Sequence, residues 1–255
     1  MNFSEVKCKI SGDIFYKNQV DSTNNWAKRF YLEHQKELNA VFIADMQTHG
    51  KGRLGREWLC ESGKQINMSI LLFPQNNVDN LQMLCLCSAL AVYNSIKELI
   101  NIPCQIKWPN DILINNRKVC GILCESVFLK SNRPASIVGI GVNVKNDVFP
   151  SSLADKVTSL FLESYKIFSR STLINSILDK FYDYYNKFSL SEFDDIITEY
   201  KSICTSINKS VKISIDGKTT VGTAIDINNW GDLIVQLDSG KIIPITHGEI
   251  VHQNI

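Results

Sequence analysis

No CxxC pair occurs among the eight cysteines (positions 8, 60, 85, 87, 104, 120, 124 and 204), and the four histidines (34, 49, 247 and 252) do not cluster near them. The ligand spacing of a zinc site is therefore missing. A chain of 255 residues needs no staple to bury a core, so the cysteines read as small buried hydrophobes in a reducing cytoplasm. The N-terminus, MNFSEVKCKISGDIF, lacks an unbroken apolar stretch and a small-residue cleavage site, which argues against a secretory signal. No run of 18 apolar residues exists, so no membrane-spanning helix is expected. An excess of one charge is also missing: 27 Lys and Arg against 26 Asp and Glu leave +1. That excludes a strongly basic nucleic-acid coat or an acidic tail, though not a local basic patch. Internal repeats and low-complexity linkers are absent too.

What remains is ordinary globular usage, with 44% hydrophobic and 21% charged residues. Two textures divide it. From about 20 to 204, helix-like and strand-like segments mix. Apolar spacing predicts helices over 24–38, with Asp21, Ser22 and Thr23 as cap candidates, and over 79–100. Three further helices are predicted near 152–164, 170–188 and 191–203. Strands are predicted at 13–20, 40–44, 66–73, 104–108, 111–115, 118–129 and 135–144, with Asn115-Asn116 as a hairpin turn. Residues 210–255 show only short β runs broken by Asp216-Gly217, Asn228-Asn229-Trp230-Gly231 and Asp238-Ser239-Gly240, as in a small barrel. The expected fold is α+β: a mixed sheet flanked by helices in a domain over 1–206, then a β-barrel domain over 207–255.

Five segments could carry chemistry. Gln47 to Trp58 (QTHGKGRLGREW) follows a strand directly. Its glycines admit close backbone approach, and Lys51, Arg53 and Arg56 could clamp a phosphate or carboxylate. It does not match the GxxxxGK[ST] loop, and an exposed basic hairpin also explains it. Lys107-Trp108-Pro109-Asn110-Asp111 sets a lysine at a strand end before a polar turn, with either Lys107 or Trp108 facing inward; a surface β-turn is the alternative. Lys118 to Glu125 (KVCGILCE) reads as a strand with a glycine where another backbone or a ligand approaches. Gly139-Ile140-Gly141-Val142-Asn143 lacks the third glycine and the following helix of a dinucleotide fingerprint. Asp21-Ser22-Thr23-Asn24-Asn25 could be a helix start alone.

Taken together, DSTN at 21–24, GKGRLGR at 50–56, KWPND at 107–111, KVCGIL at 118–123 and GIGVN at 139–143 resemble the biotin–protein ligase family over roughly residues 20–145, and more loosely to the C-terminus. The resemblance implies a class II synthetase-like catalytic domain and an SH3-like terminal barrel. It implies two reactions: biotin and Mg-ATP give biotinyl-5′-AMP and pyrophosphate, then biotin passes to a lysine of a biotin carboxyl carrier protein of acetyl-CoA carboxylase. By motif, Ser22, Thr23 and Asn24 match the polar wall for the biotin ring. Gln47, Gly50, Lys51, Gly52 and Arg53 match the loop over biotin and adenylate, and Gly121 the biotin-site glycine. Arg53 matches the arginine that retains the adenylate. Arg56, Trp58 and Asn143 match adenylate contacts, with Trp58 and Asn143 near the adenine. Lys107 matches the lysine at the biotin carboxyl and α-phosphate, and Asp111 and Lys118 match residues assigned to carrier-lysine activation and adenylate contacts. Magnesium is implied as part of the ATP complex, without a dedicated protein site.

Two departures stand out. Lys51 replaces the first arginine of the commoner GRGRxGR form, turning a bidentate contact into a single-point one. Cys120 replaces the alanine of KxAGIL, and its sulfur is expected to alter pocket shape slightly. Some relatives carry about 60 residues of DNA-binding winged helix before DSTN; only 20 precede Asp21 here, so no repressor function and no DNA partner are expected. The expected protein is cytoplasmic, off the membrane, and a monomer or homodimer. Two alternatives are a lipoate–protein ligase with the same adenylate logic, and a non-enzymatic module whose basic loop contacts nucleic acid.

Overall fold

The computed structural model describes residues 3–10, 13–76, 80–100, 102–129, 133–215, 218–246 and 249–252. Its main sheet comprises β1 (Asp13–Val20), β2 (Ala40–Gln47), β3 (Gln65–Leu72), β4 (Cys104–Lys107), β5 (Asp111–Ile114), β6 (Arg117–Val127) and β7 (Ala135–Asn143). The strand order is β1-β2-β3-β7-β6-β5-β4. β1 and β2 run parallel and the other neighbours antiparallel. The parallel pair needs a crossover, which α1 (Thr23–His34) supplies. The hairpin between β5 and β6 turns on Asn115 and Asn116, both left-handed at φ 49° and 61°. Paired positive φ values suit the twist of the flanking strands, and asparagine tolerates them.

Helices cover the two faces unequally. On one face lie α2 (Leu81–Leu99), α4 (Arg170–Ser189) and α5 (Phe193–Ile203), burying the larger core cluster. On the other, α1 covers only one end, packing Ala27 and Tyr31 on Phe42, Leu71, Val127 and Ile137. The rest of that face is free for a ligand. α1 stops at His34, shorter than its apolar pattern, because Gln35 turns left-handed at φ 52° and sends the chain toward β2. The predicted helix over 152–164 shrinks to α3 (Leu160–Ser164). Residues 156–158 are drawn instead onto β6: Lys118 N donates to Lys156 O (2.9 Å) and Thr158 N to Lys118 O (2.8 Å). Ser159 then caps α3 by accepting from Leu162 N at 3.1 Å.

The second sheet holds β8 (Ser210–Ile215), β9 (Lys218–Ile227), β10 (Leu233–Leu237), β11 (Ile242–Ile245) and β12 (Glu249–His252) in the order β11-β10-β9-β8-β12, all antiparallel. The expected Asp216-Gly217 turn and His247 lie outside the described residues. The other two predicted turns are present, with Gly231 at φ 86° and Gly240 at φ 81°. The first of them grips the main sheet: the Trp108 indole N–H donates to Gly231 O at 3.0 Å, and Trp108 is 1% exposed. Trp108 therefore faces inward, toward the second sheet, and Lys107 turns the other way.

Behind β2 and β3, Arg170 pairs with Asp45 at 2.9 Å and also donates to Gln65 O, while Tyr16 donates to the other Asp45 oxygen at 2.7 Å. Burial alone pushes the Asp45 carboxyl up, but the Tyr16 hydroxyl and Arg170 guanidinium outweigh it and hold it below the usual carboxylate range. Arg170→Leu leaves the partly buried Asp45 carboxylate with the Tyr16 hydroxyl but without its guanidinium, so a loss of about 2 kcal/mol is expected in denaturant unfolding. A depressed folded pKa gives stability that is full above the ordinary carboxylate value and is lost as pH falls through the depressed one. The fall in melting temperature on acidification should therefore be shallower in Asp45→Asn than in the wild type; equal slopes would place the acid-labile group elsewhere.

Candidate active site

Alternation along three strands builds the site. In β3, β6 and β7, residues 66, 68, 70, 122, 138, 140 and 142 face the larger core, so their odd-numbered neighbours face α1. Under α1 these odd positions are apolar: Leu71, Val127, Ala135 and Ile137. Where α1 ends they change character to Ser69, Asn67 and Gln65 on β3, Gly139 and Gly141 on β7, and Leu123 and Gly121 on β6. Apart from Leu123, the floor is thus glycine and small or amide side chains, so the strand backbone itself is open to close approach.

The start of α1 walls one end of this cavity. Ser22, its N-cap, makes no side-chain capping bond. The Thr23 amide donates to Gln47 Oε1 at 2.8 Å, and Gln47 Nε2 donates to Asn67 Oδ1 at 3.3 Å. Asn24 Nδ2 donates to Glu125 Oε2 at 2.6 Å. Asp21 stands outside the cavity and receives both guanidinium nitrogens of Arg29 (2.6 and 2.8 Å), which hold its carboxyl well below the usual range. Ser22, Thr23, Asn24 and Gln47 line the cavity together with Lys51, Gly52, Arg53, Trp58, Asn110, Lys118, Gly121, Gly139 and Gly141.

The loop from Gly50 to Trp58 folds back on itself as the lid. Trp58 N donates to Gly50 O (2.9 Å) and Gly52 N donates to Arg56 O (2.7 Å), which sets the backbones of Lys51 and Glu57 opposite each other as an isolated antiparallel β-bridge. A Cβ on Gly50 would overlap the Trp58 carbonyl, so this contact requires glycine. The Trp58 indole lies across the glycine floor, where a Cβ on Gly141 would come within 2.6 Å of the ring. Its Nε1 is buried with no hydrogen-bond partner among the described residues. Arg53 reaches across to Asn110 Oδ1 at 3.0 Å.

A second, adjoining cavity is lined by Gly52, Arg53, Arg56, Trp58, Lys107, Asn110, Asp111 and Lys118 among others. Arg53, Trp58 and Lys118 thus face both. Lys118 Nζ pairs with Asp111 Oδ1 at 2.7 Å and sits 5.8 Å from the Trp58 ring centroid. Lys107 lines only the outer cavity, and Asn143 lines neither: its amide accepts from Gln65 (3.2 Å) and donates to Thr158 O (2.9 Å). Cys120 is fully buried on the opposite face of β6, so its sulfur does not shape this pocket. Ser69, Asn67, Glu125 and Gly139 join the site on strand positions that two-residue alternation into polar and glycine residues could have found, whereas Asn110 enters from the turn between β4 and β5, where alternation gives no signal.

The arrangement suits an elongated ligand. One end meets neutral polar groups, the middle rests on bare backbone, and the far end meets cations shared with a cavity open to a polyanion. Among the described residues, no group of three or more His, Cys, Asp or Glu could hold a metal ion. Gly139→Ala tests the floor: the new methyl would overlap Asn24 Oδ1 and must displace that side chain. Ligand affinity should fall on the order of a hundredfold with the fold retained; calorimetric titration giving unchanged affinity would show that Asn24 is dispensable.

Residues 16–143 match the model of the biotin/lipoate A/B protein ligase family, and residues 206–253 that of the biotin protein ligase C-terminal domain. The chain belongs to the biotin/lipoate A/B protein ligase family. It is 32% identical over 238 residues to the bifunctional ligase/repressor BirA of Bacillus spizizenii, covering 92% of this chain and 73% of that protein. It is 28% identical to the biotin–[acetyl-CoA-carboxylase] ligase of Mycobacterium tuberculosis, covering 83% and 78%. Among solved structures, the biotin protein ligase of Aquifex aeolicus in complex with biotin and ATP superposes with a TM-score of 0.82 at 28% identity, covering 96% of this chain and 100% of that one.

Proposed function

We propose that this protein is a biotin–protein ligase that activates biotin with ATP and transfers it to a carrier lysine. The observation that carries the reading is the pair of adjoining cavities, one polar-walled and one cationic, meeting at Arg53 and Lys118. In the first cavity Ser22, Thr23 and Gln47 hold the ureido ring, and Gly121, Gly139 and Gly141 let the chain of the acid lie against β6 and β7. The carboxylate then points at Lys118 and Arg53. A carboxylate oxygen attacks the α-phosphorus, the bond to the β-phosphate oxygen breaks, and pyrophosphate leaves. Two anions must meet for this, and the two side-chain cations offset the repulsion and stabilise charge on the phosphorus. Magnesium enters with the triphosphate as part of the substrate. Arg56 and Lys107 in the outer cavity take phosphate oxygens, while Trp58 shields the anhydride and packs near the adenine. Asn143 serves the adenine only if its bonds to Gln65 and Thr158 exchange.

In the second step the carrier lysine attacks the acyl carbon, its ammonium proton is lost, and AMP leaves. An amine with an ordinary pKa near 10.4 needs an acceptor for that proton; Asp111, held beside Lys118 in the outer cavity, is the proposed acceptor. Acetyl-CoA carboxylase's biotin carrier domain is the proposed acceptor. The domain division falls at 206/207, and the terminal sheet closes as an SH3-like barrel. The balanced charge supports catalysis without DNA binding, which retention on DNA at low salt would contradict. The protein works in the cytoplasm, a reading supported by eight cysteines without a disulfide. It acts as monomer or homodimer, to be read by light scattering.

The decisive experiment is acid-dependent exchange of labelled pyrophosphate into ATP, with biotin, lipoate and octanoate in parallel. Exchange with biotin alone supports the proposal. Exchange with lipoate instead keeps the adenylate chemistry and overturns the substrate. No exchange with any acid sinks the enzyme reading.

A further inference from the structure

β3 is buried at every position, yet Ser69 interrupts its site face with a hydroxyl that is 0% exposed. Its oxygen lies 2.7 Å from Thr23 Oγ1 and 2.6 Å from Asn24 Oδ1. Proton counting fixes the direction of these bonds. Asn24 Nδ2 faces the Leu123 carbonyl (3.4 Å) and Glu125 Oε2 (2.6 Å), which sets Oδ1 toward Ser69. That oxygen carries no hydrogen, so the single Ser69 proton goes to it. Thr23 must then donate to Ser69 Oγ, because two hydroxyl oxygens 2.7 Å apart with no proton between them would repel, and Gln47 Oε1, farther off at 3.1 Å, already accepts from the Thr23 amide. Its hydroxyl proton is thereby spent away from the cavity. Thr23 meets the ligand only with lone pairs, and Asn24 has both amide hydrogens committed.

Resting on the ligase reading above, we infer that Ser69 is a specificity-determining positioning residue: it makes Thr23 a pure acceptor, so that the cavity selects an acid whose ring offers an N–H there. The complementary donor is the Gln47 amide, oriented by Asn67 on the same strand face. Ser69 touches no ligand itself; it acts through Thr23 and Asn24. A ureido ring carries the N–H and the carbonyl that this pair requires, whereas the dithiolane ring of lipoate carries neither. Without Ser69, the Thr23 proton loses its short acceptor and is shared between the longer contact to Gln47 Oε1 and the cavity, where it opposes the ligand N–H, and Asn24 Oδ1 loses its donor.

The test is Ser69→Ala in the full-length protein, with biotin affinity read by calorimetry and the KM values by pyrophosphate exchange. Biotin affinity should fall ten- to a hundredfold, on the order expected for a buried acceptor losing its donor. The KM for ATP should not move, and thermal unfolding should show a folded protein. Because Ser69 acts through Thr23, the effect should be strongly non-additive with Thr23→Val. Ser69→Cys keeps shape with a weaker donor and should fall between wild type and alanine, which preserves the test if the alanine variant is unstable. Unchanged biotin affinity, additivity with Thr23→Val, or a parallel rise in the KM for ATP overturns the inference. A wild-type protein that binds no biotin overturns the ligase reading, and the inference with it.

Discussion

Replacing Lys118 by alanine is expected to lower biotin-dependent pyrophosphate exchange by on the order of 10² to 10³, the usual cost of removing one preorganised donor from a developing charge. Among the described residues, Lys118 is the one lysine that faces both the polar-walled cavity and the outer cationic one. Its backbone is pinned on both sides by residues 156–158, and its ammonium is directed by Asp111 at 2.7 Å. Lys107, the residue that motif matching favours for this place, lines only the outer cavity. Lys107→Ala should therefore raise the KM for ATP more than it lowers the maximal rate, the pattern of a contact made equally in ground and transition states. A tenfold or larger loss of maximal rate in Lys107→Ala, with Lys118→Ala near wild type, would reverse the two assignments. Lys118→Arg should not rescue, because a guanidinium is planar and longer than the ammonium that Asp111 holds.

Arg53→Gly is expected to turn a retained adenylate into a released one. Arg53 is carried by a folded-back loop, lines both cavities and reaches Asn110 Oδ1 at 3.0 Å across their junction, the place proposed for the acyl-adenylate. A charge-assisted hydrogen bond of this kind contributes roughly 1.5–3 kcal/mol, so release should speed up by about ten- to a hundredfold. Free biotinyl-AMP should then label lysines of a bystander such as serum albumin when biotin and ATP are supplied. Adenylate formation should survive in part, because Lys118 remains. Bystander labelling at the wild-type level would remove Arg53 from the retaining role. Asn110→Ala offers a milder version, since it deletes the anchor and leaves the charge.

Much of this was legible before any coordinates. The Asn115-Asn116 turn works because only a few residues accept paired positive φ, so two asparagines between apolar runs have few other readings. Long periodic segments such as α2 followed their apolar spacing closely. Local pattern failed where a tertiary partner competed for the backbone. Residues 152–157 had the composition of a helix start, but Lys118 offers an amide and a carbonyl that this segment satisfies instead.

The site divides the same way. The sequence by itself determined which chemical groups exist: five short motifs, a glycine-rich cationic loop, and an alternation that keeps one strand face apolar while the other turns to glycine and amide. Sequence order could not say which lysine meets which cavity, because that depends on strand register and on where α1 stops covering the sheet. Lys107 and Lys118 stand 11 positions apart in the chain, and only the pairing of β4 with β5 and of β5 with β6 turns one inward and leaves the other at the rim. Hydrogen-bond direction is decided there as well. Ser69 is one more small residue in a buried strand until the fold sets Thr23, Asn24 and Glu125 around it, and then its single proton can go only one way.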